Sequence, residues 1–152
     1  MKKTKVFLLL LGMFFMFPFQ SVFSQNKADD VLGVWLSGDK DAQVEITKKG
    51  DKFFGKIVWL KDPIDTKTGK PKTDNKNPDP ALKNRPTLGM EMLKNFGFNG
   101  KDEWSDGEIY DPKSGKTYSS YMKMAGHDLL KIRGYIGVSL LGRTTEWTRV
   151  KK

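Results

Sequence analysis

The feature that most constrains this chain is its punctuation into short β-prone runs separated by turn residues, with no sustained helical period. Gln43 to Lys48 alternates, placing Val44 and Ile46 on one face and Glu45 and Thr47 on the other. Gly50-Asp51 then turns the chain into Lys52 to Leu60, where Phe53, Gly55, Ile57 and Trp59 share a face. Gly33 to Ser37, Asp106 to Asp111, Lys116 to Met124, Asp128 to Ile136 and Arg143 to Val150 are further runs of the same kind. Leu88 to Phe96 fits two periods: Leu88, Met92 and Phe96 have helical spacing, and Leu88, Met90 and Met92 have strand spacing. The absence of a helix cap favours the extended reading. The count is then about eight strands, the number that closes an antiparallel up-and-down barrel wide enough for side chains or one small ligand.

The first 24 residues carry a different pattern. Lys2, Lys3 and Lys5 precede the uncharged apolar run Val6 to Phe19. Val22 and Ser24 then hold the −3 and −1 positions of a small-residue cleavage site, which leaves Gln25 as the new N-terminus. A spanning helix wants about 20 apolar residues, and this run is shorter and ends at Pro18. The expectation is a cleaved export signal over 1–24, no membrane span after cleavage, and a periplasmic or secreted domain over 25–152. That length is one domain. Cys is absent, which excludes disulfides, thiolate nucleophiles and thiolate metal sites. Without the three signal lysines, 24 basic residues face 18 acidic ones, a net charge of +6. Lysines interleave with aspartates, as in Lys61-Asp62, and no basic helix stands out, so nucleic acid is not expected as a partner.

Residues 61–86 form a long polar connection, rich in proline and lysine, that the prolines of Asn77-Pro78-Asp79-Pro80 stiffen. Its aspartates Asp62, Asp65, Asp74 and Asp79, with Asn75 and Asn77, suggest a calcium loop, but the interspersed lysines oppose a divalent ion. No metal or cofactor is expected. Gly115-Lys116-Thr117 lacks the upstream glycine of a P-loop, since Tyr110 stands there. His127, the only histidine, lies in a turn with no nucleophile elbow in the chain. Glu91, Glu103, Glu108 and Glu146 have no spacing that pairs them for glycoside hydrolysis.

Aromatic residues and arginines are more informative. Arg143, Trp147 and Arg149 share one face of the last strand. In a closed barrel that strand neighbours the first, so Trp35 can stack on Arg149 or Arg143 as a barrel-end plug. Arg133 and Tyr135 face away from Leu130 and Ile132 if the apolar face turns inward. An inward Arg133 would need Asp79, Glu108 or Asp111 as partner.

The segments Asn77-Pro78-Asp79-Pro80, Arg85-Pro86, Gly107 to Pro112, Gly115 to Tyr118 and Arg133 to Gly137, with Gly142-Arg143-Thr144 and Trp147-Thr148-Arg149, together resemble the domain of unknown function 2147 family of secreted bacterial proteins. The resemblance covers residues 29–150 and implies export and a lipocalin-like barrel. Gly33-Val34-Trp35 is also similar to the first lipocalin motif. No catalytic residue comes with the resemblance.

Three functions are therefore weighed. The first is a binding module that holds a small apolar or amphipathic envelope molecule in the barrel mouth beside the 61–86 loop, with Asp79, Arg85, Trp104, Tyr110, Arg133 and Tyr135 as ligand-binding residues. The second is a structural or interaction protein of the envelope built on a solid barrel. The third is a hydrolase or isomerase using Asp79 with Tyr110 or Arg133; it requires Asp79 in a pocket.

Overall fold

The computed structural model describes residues 27–151. The expected export signal and its cleavage position before Gln25 lie outside the described residues. The strands are β1 (Gly33–Leu36), β2 (Ala42–Lys49), β3 (Lys52–Leu60), β4 (Glu91–Phe98), β5 (Glu103–Asp111), β6 (Lys116–Met124), β7 (Leu129–Tyr135) and β8 (Arg143–Arg149). Each hydrogen-bonds to the next, and β8 returns to β1, so the sheet is a closed all-antiparallel barrel.

Alternation decides what fills it. Val44 and Ile46 of β2, Phe53 and Ile57 of β3, Leu93 and Phe96 of β4, Trp104 of β5, Met122 of β6, Leu130 and Ile132 of β7 and Trp147 of β8 are buried in one core. Charged residues such as Glu45, Lys56, Glu108, Lys131 and Glu146 alternate with them and stand exposed on the outer wall. Trp59 leaves the face expected for it: Gln43 pairs with Trp59 but Val44 pairs with Ile57, so Val58 is an extra residue in β3. The bulge turns Trp59 outward, 40% exposed.

Further register shifts shape β4 and β5. Phe53 pairs with Phe96 and Gly55 with Leu93, which puts one extra residue in β4. Trp104 pairs with Met122 and Gly107 with Ser120, which puts one in β5. Asn95 and Asp106 have positive φ at these places, 62° and 57°, and both residue types tolerate that conformation. The bulges let Leu93 and Phe96, three apart, both face inward. The segment that fitted two periods is thus a strand, beginning at Glu91, with Leu88 outside it and half exposed. β5 likewise starts at Glu103, earlier than the alternation from Asp106 indicated.

The 3-10 turn Ala28–Val31 closes one end of the barrel. Val31 is fully buried, and its carbonyl accepts from Trp35 Nε1 at 2.9 Å. The seam between β1 and β8 is short: Trp35 pairs with Arg149 and Leu36 with Thr148. Arg149 reinforces it. Its guanidinium lies 4.2 Å from the Trp35 ring centroid and donates to the carbonyls of His127, Leu32 and Asp30 at 2.9, 2.8 and 2.6 Å. Arg143 sits six residues earlier on the strand, exposed opposite Gly134 at the other end, so the stack belongs to Arg149. Among the described residues no helix is long and apolar enough to cross a membrane.

Candidate functional site

The long β3–β4 connection lies against the outer wall of β4, β5 and β6. Gly107 faces inward, because a Cβ there would strike the Phe96 ring. Ile109 also faces inward, next to Gly134. Alternation then turns Glu108 and Tyr110 outward. Their partners across the strands, Lys94 and Thr117, share that face. Tyr110 nevertheless is only 7% exposed. The loop covers it.

The loop holds its own shape through backbone pairing. Isolated bridges join Ile64 to Pro71 and Thr73 to Pro86. Asp74 N–H donates to Arg85 O at 3.0 Å, and Thr87 N–H to Lys72 O at 2.9 Å. Asp79 Oδ1 accepts from Ala81 N–H at 2.9 Å and caps the 3-10 turn Pro80–Leu82. Gly115, in the β5–β6 turn, has φ 73°, and any Cβ there would overlap Lys76 O, so only glycine lets the loop pass this close.

One carboxylate ties the loop to the wall. Asp74 is completely buried. Its Oδ1 accepts from Tyr110 Oη at 2.5 Å. Its Oδ2 accepts from Asn77 Nδ2 at 2.7 Å and from Arg85 Nε at 2.9 Å, with Arg85 Nη2 at 2.7 Å. A buried charge is tolerated only when it is paired and hydrogen-bonded, and this one has both. Burial, and then the Asp74 carboxylate, push the Tyr110 hydroxyl above the ordinary tyrosine range. Arg85 also lies 5.5 Å from the Tyr110 ring centroid. The calcium reading fails at Asp74, whose oxygens are committed to an arginine, a tyrosine and an asparagine.

Beside this anchor is a cleft of about 200 Å³. Pro78, Leu82 and Met92 give it apolar walls; Arg85, Tyr110, Lys94, Glu108 and Thr117 supply polar and charged edges. Its donors and acceptors converge from a rigid sheet on one side and a pinned loop on the other.

Of the residues singled out from the sequence, Arg85 and Tyr110 meet here. Asp79 is near in sequence but exposed and engaged as a cap. The hydrolase reading required it in a pocket, and that version fails. Trp104 is fully buried inside the barrel, far from the cleft; its Nε1 donates to Ala28 O at 3.0 Å and its ring packs 4.9 Å from Phe98. Arg133 faces outward, with no carboxylate partner: it donates to Ser139 O, Thr144 Oγ1 and Leu140 O at 2.7, 2.9 and 3.1 Å. Tyr135 is on the same outer face, 6.4 Å from Tyr121. Trp35 and Trp147 are buried in the core. Sequence reasoning missed Asp74 as an anchor. Its one local signal, Asn77 three residues on, is too common in polar loops to have singled it out.

The family model described as "Uncharacterized protein conserved in bacteria (DUF2147)" matches residues 33–149. Among solved structures, protein HP1028 from the human pathogen Helicobacter pylori, described as belonging to the lipocalin family, is similar to this chain with a TM-score of 0.67. The two are 24% identical, over 80% of this chain and 83% of that one. At that identity the likeness shows the fold, a lipocalin-like barrel. No curated protein matches the sequence.

Proposed function

The chain belongs to the DUF2147 family, and from its lipocalin-like barrel we propose that it is an exported binding module with its ligand in the cleft under the 61–86 loop. The observation that carries this reading is the buried Asp74 anchor. A long polar loop is held rigidly over the barrel wall and encloses a cleft with both apolar and charged sides, instead of lying loose in solvent. Eight-stranded barrels of this kind commonly hold one small ligand. Here the axis is packed with side chains, and the space lies outside the wall. The volume is below the roughly 300–1,000 Å³ of drug-sized sites. It suits a small molecule, or one end of a longer amphiphile, whose apolar part rests on Leu82 and Met92 and whose anionic group reaches Arg85 or Lys94. Export rests on the basic and apolar residues that open the sequence.

Native mass spectrometry of protein purified from its own host tests this. A bound mass is expected on the wild type. It should be absent from Thr117→Trp, which fills the cleft from an exposed strand position beside Tyr110. A wild type that carries nothing, or an adduct that survives Thr117→Trp, would overturn the assignment.

A further inference from the structure

The β7–β8 connection presents four large apolar side chains to water. Ile136, Val138, Leu140 and Leu141 are 68, 59, 85 and 80% exposed. Single exposed apolar residues are ordinary; four around one turn are not. The turn is also built, not slack. Residues Ser139–Leu141 form a 3-10 turn. Arg133 reaches up from β7 and binds the carbonyls of Ser139 and Leu140 and the Thr144 hydroxyl. The backbone's polar groups are thereby satisfied at the base, and the side chains are left to project. Gly142 completes the base: a Cβ there would lie 2.6 Å from Gly134 O and 2.8 Å from Tyr135 Cβ.

Charge follows the same layout. From Pro112 to Thr145 the sequence holds one acidic residue, Asp128. Asp128 lies in the β6–β7 turn, at the opposite end of the barrel from the apolar turn. On the near end, Arg143 flanks the turn and Lys116 opens β6, both exposed. Below the tip, Tyr135 and Tyr121 stand half-buried on the outer wall. From the tip downward the order is apolar side chains, then tyrosine and cations. That is the layering of a segment that dips into a bilayer interface.

We infer that this turn is a membrane-docking finger, in which Ile136, Val138, Leu140 and Leu141 enter the acyl boundary and Arg143 and Lys116 meet anionic lipid headgroups. Their exposure favours lipid over a protein socket: the four side chains are 59–85% exposed within one short connection between neighbouring strands, and a fluid interface needs no preformed complement. Arg143 and Lys116 supply the cations for an anionic leaflet; of the acidic groups at the same end, Asp39 and Asp41 are paired with Lys113, and Asp111 lies across from Lys116. The 61–86 loop leaves β3 at the same end of the barrel, so docking would bring the cleft beside the membrane surface. The finger does not depend on the cleft having a ligand.

The test is vesicle flotation of the chain from Gln25 onward, which contains the whole closed barrel and lacks the apolar leader. Vesicles of phosphatidylethanolamine and phosphatidylglycerol are compared with phosphatidylcholine alone. The wild type is expected to float with the anionic vesicles and less with the neutral ones. Leu140→Asp with Leu141→Asp should lower the partition coefficient about tenfold or more with the thermal midpoint unchanged, because both side chains already stand in water. Lys116→Glu with Arg143→Glu should remove the preference for anionic vesicles. No flotation of the wild type, or equal flotation of the double aspartate variant, would overturn the inference. So would a concentration-dependent dimer that this variant abolishes in the absence of vesicle binding, since the turn would then be a contact between copies.

Discussion

Replacing Asp74 with alanine tests whether one carboxylate holds the 61–86 loop. The substitution leaves Tyr110 Oη, Asn77 Nδ2 and the Arg85 guanidinium without their acceptor. Removing one partner of a buried ion pair costs about 3–5 kcal/mol. The Arg85 side chain is 31% exposed and can swing into water, which recovers part of its share. Tyr110 and Asn77 are buried and cannot. The lower end, about 3 kcal/mol, is the expected loss, equivalent to a fall in thermal midpoint of about 10–15 °C for a domain of this size. Circular dichroism melts measure it. Timed trypsin digestion read by mass spectrometry localises it, because Lys67, Lys72, Lys76 and Lys83 all lie in the loop and would become cleavable before the barrel does. Asp74→Asn, which keeps an acceptor but no charge, should fall between wild type and alanine. A midpoint within about 2 °C of wild type, with no faster cleavage in the loop, would refute the anchoring argument.

Tyr110→Phe should cost about 1–2 kcal/mol at neutral pH, and the gap should narrow in base. The Tyr110 hydroxyl titrates above its ordinary value of 10.0 because burial, then Asp74, disfavour the phenolate. Its contribution is therefore complete below pH 10 and lost as pH rises through the higher folded value, which paired urea titrations of the two proteins check. Arg149→Ala should destabilise by about 2–4 kcal/mol through three lost carbonyl contacts and the Trp35 stack. Hydrogen exchange should speed first in Val34 to Leu36, and Arg149→Lys should recover little, since an ammonium lacks the planar fork. Gly107→Ala places a Cβ 2.4 Å from Phe96 Cγ and should cost about 1–3 kcal/mol by overpacking. Phe96→Leu in the same chain should return part of that in chemical denaturation.

Alternation carried the fold where strands were regular. The β2–β3 hairpin was readable because Val44, Ile46, Phe53 and Ile57 keep a period of two up to the bulge at Val58. It failed where an extra residue was inserted. Over Leu88 to Phe96, read as extended, the strand period was blurred because the bulge at Asn95 brings Leu93 and Phe96, three apart, to one face. Trp104 was cut off from its strand by the matching bulge at Asp106. The site was less legible. Arg85 and Tyr110 come together only because the loop runs down the outer wall, a path set by Gly115 clearing Lys76 and by Asp74 meeting Tyr110, which is 36 positions away. Arg133 was ambiguous for a related reason: its partners are carbonyls of a turn, and no residue type announces a carbonyl.

The join between the outermost strands has a bearing on how the molecule assembles. Arg149 clasps Leu32 across 117 positions, and the first strand meets the last through two register pairs and the Val150 N–H bond to Val34 O at 2.9 Å. Such distant pairings are slow to form. A nascent chain must wait for its final few residues before its sheet becomes edgeless, and until then both border strands can accept a stranger. Clipping or extending the carboxyl terminus would thus act on solubility during folding out of proportion to the handful of atoms involved.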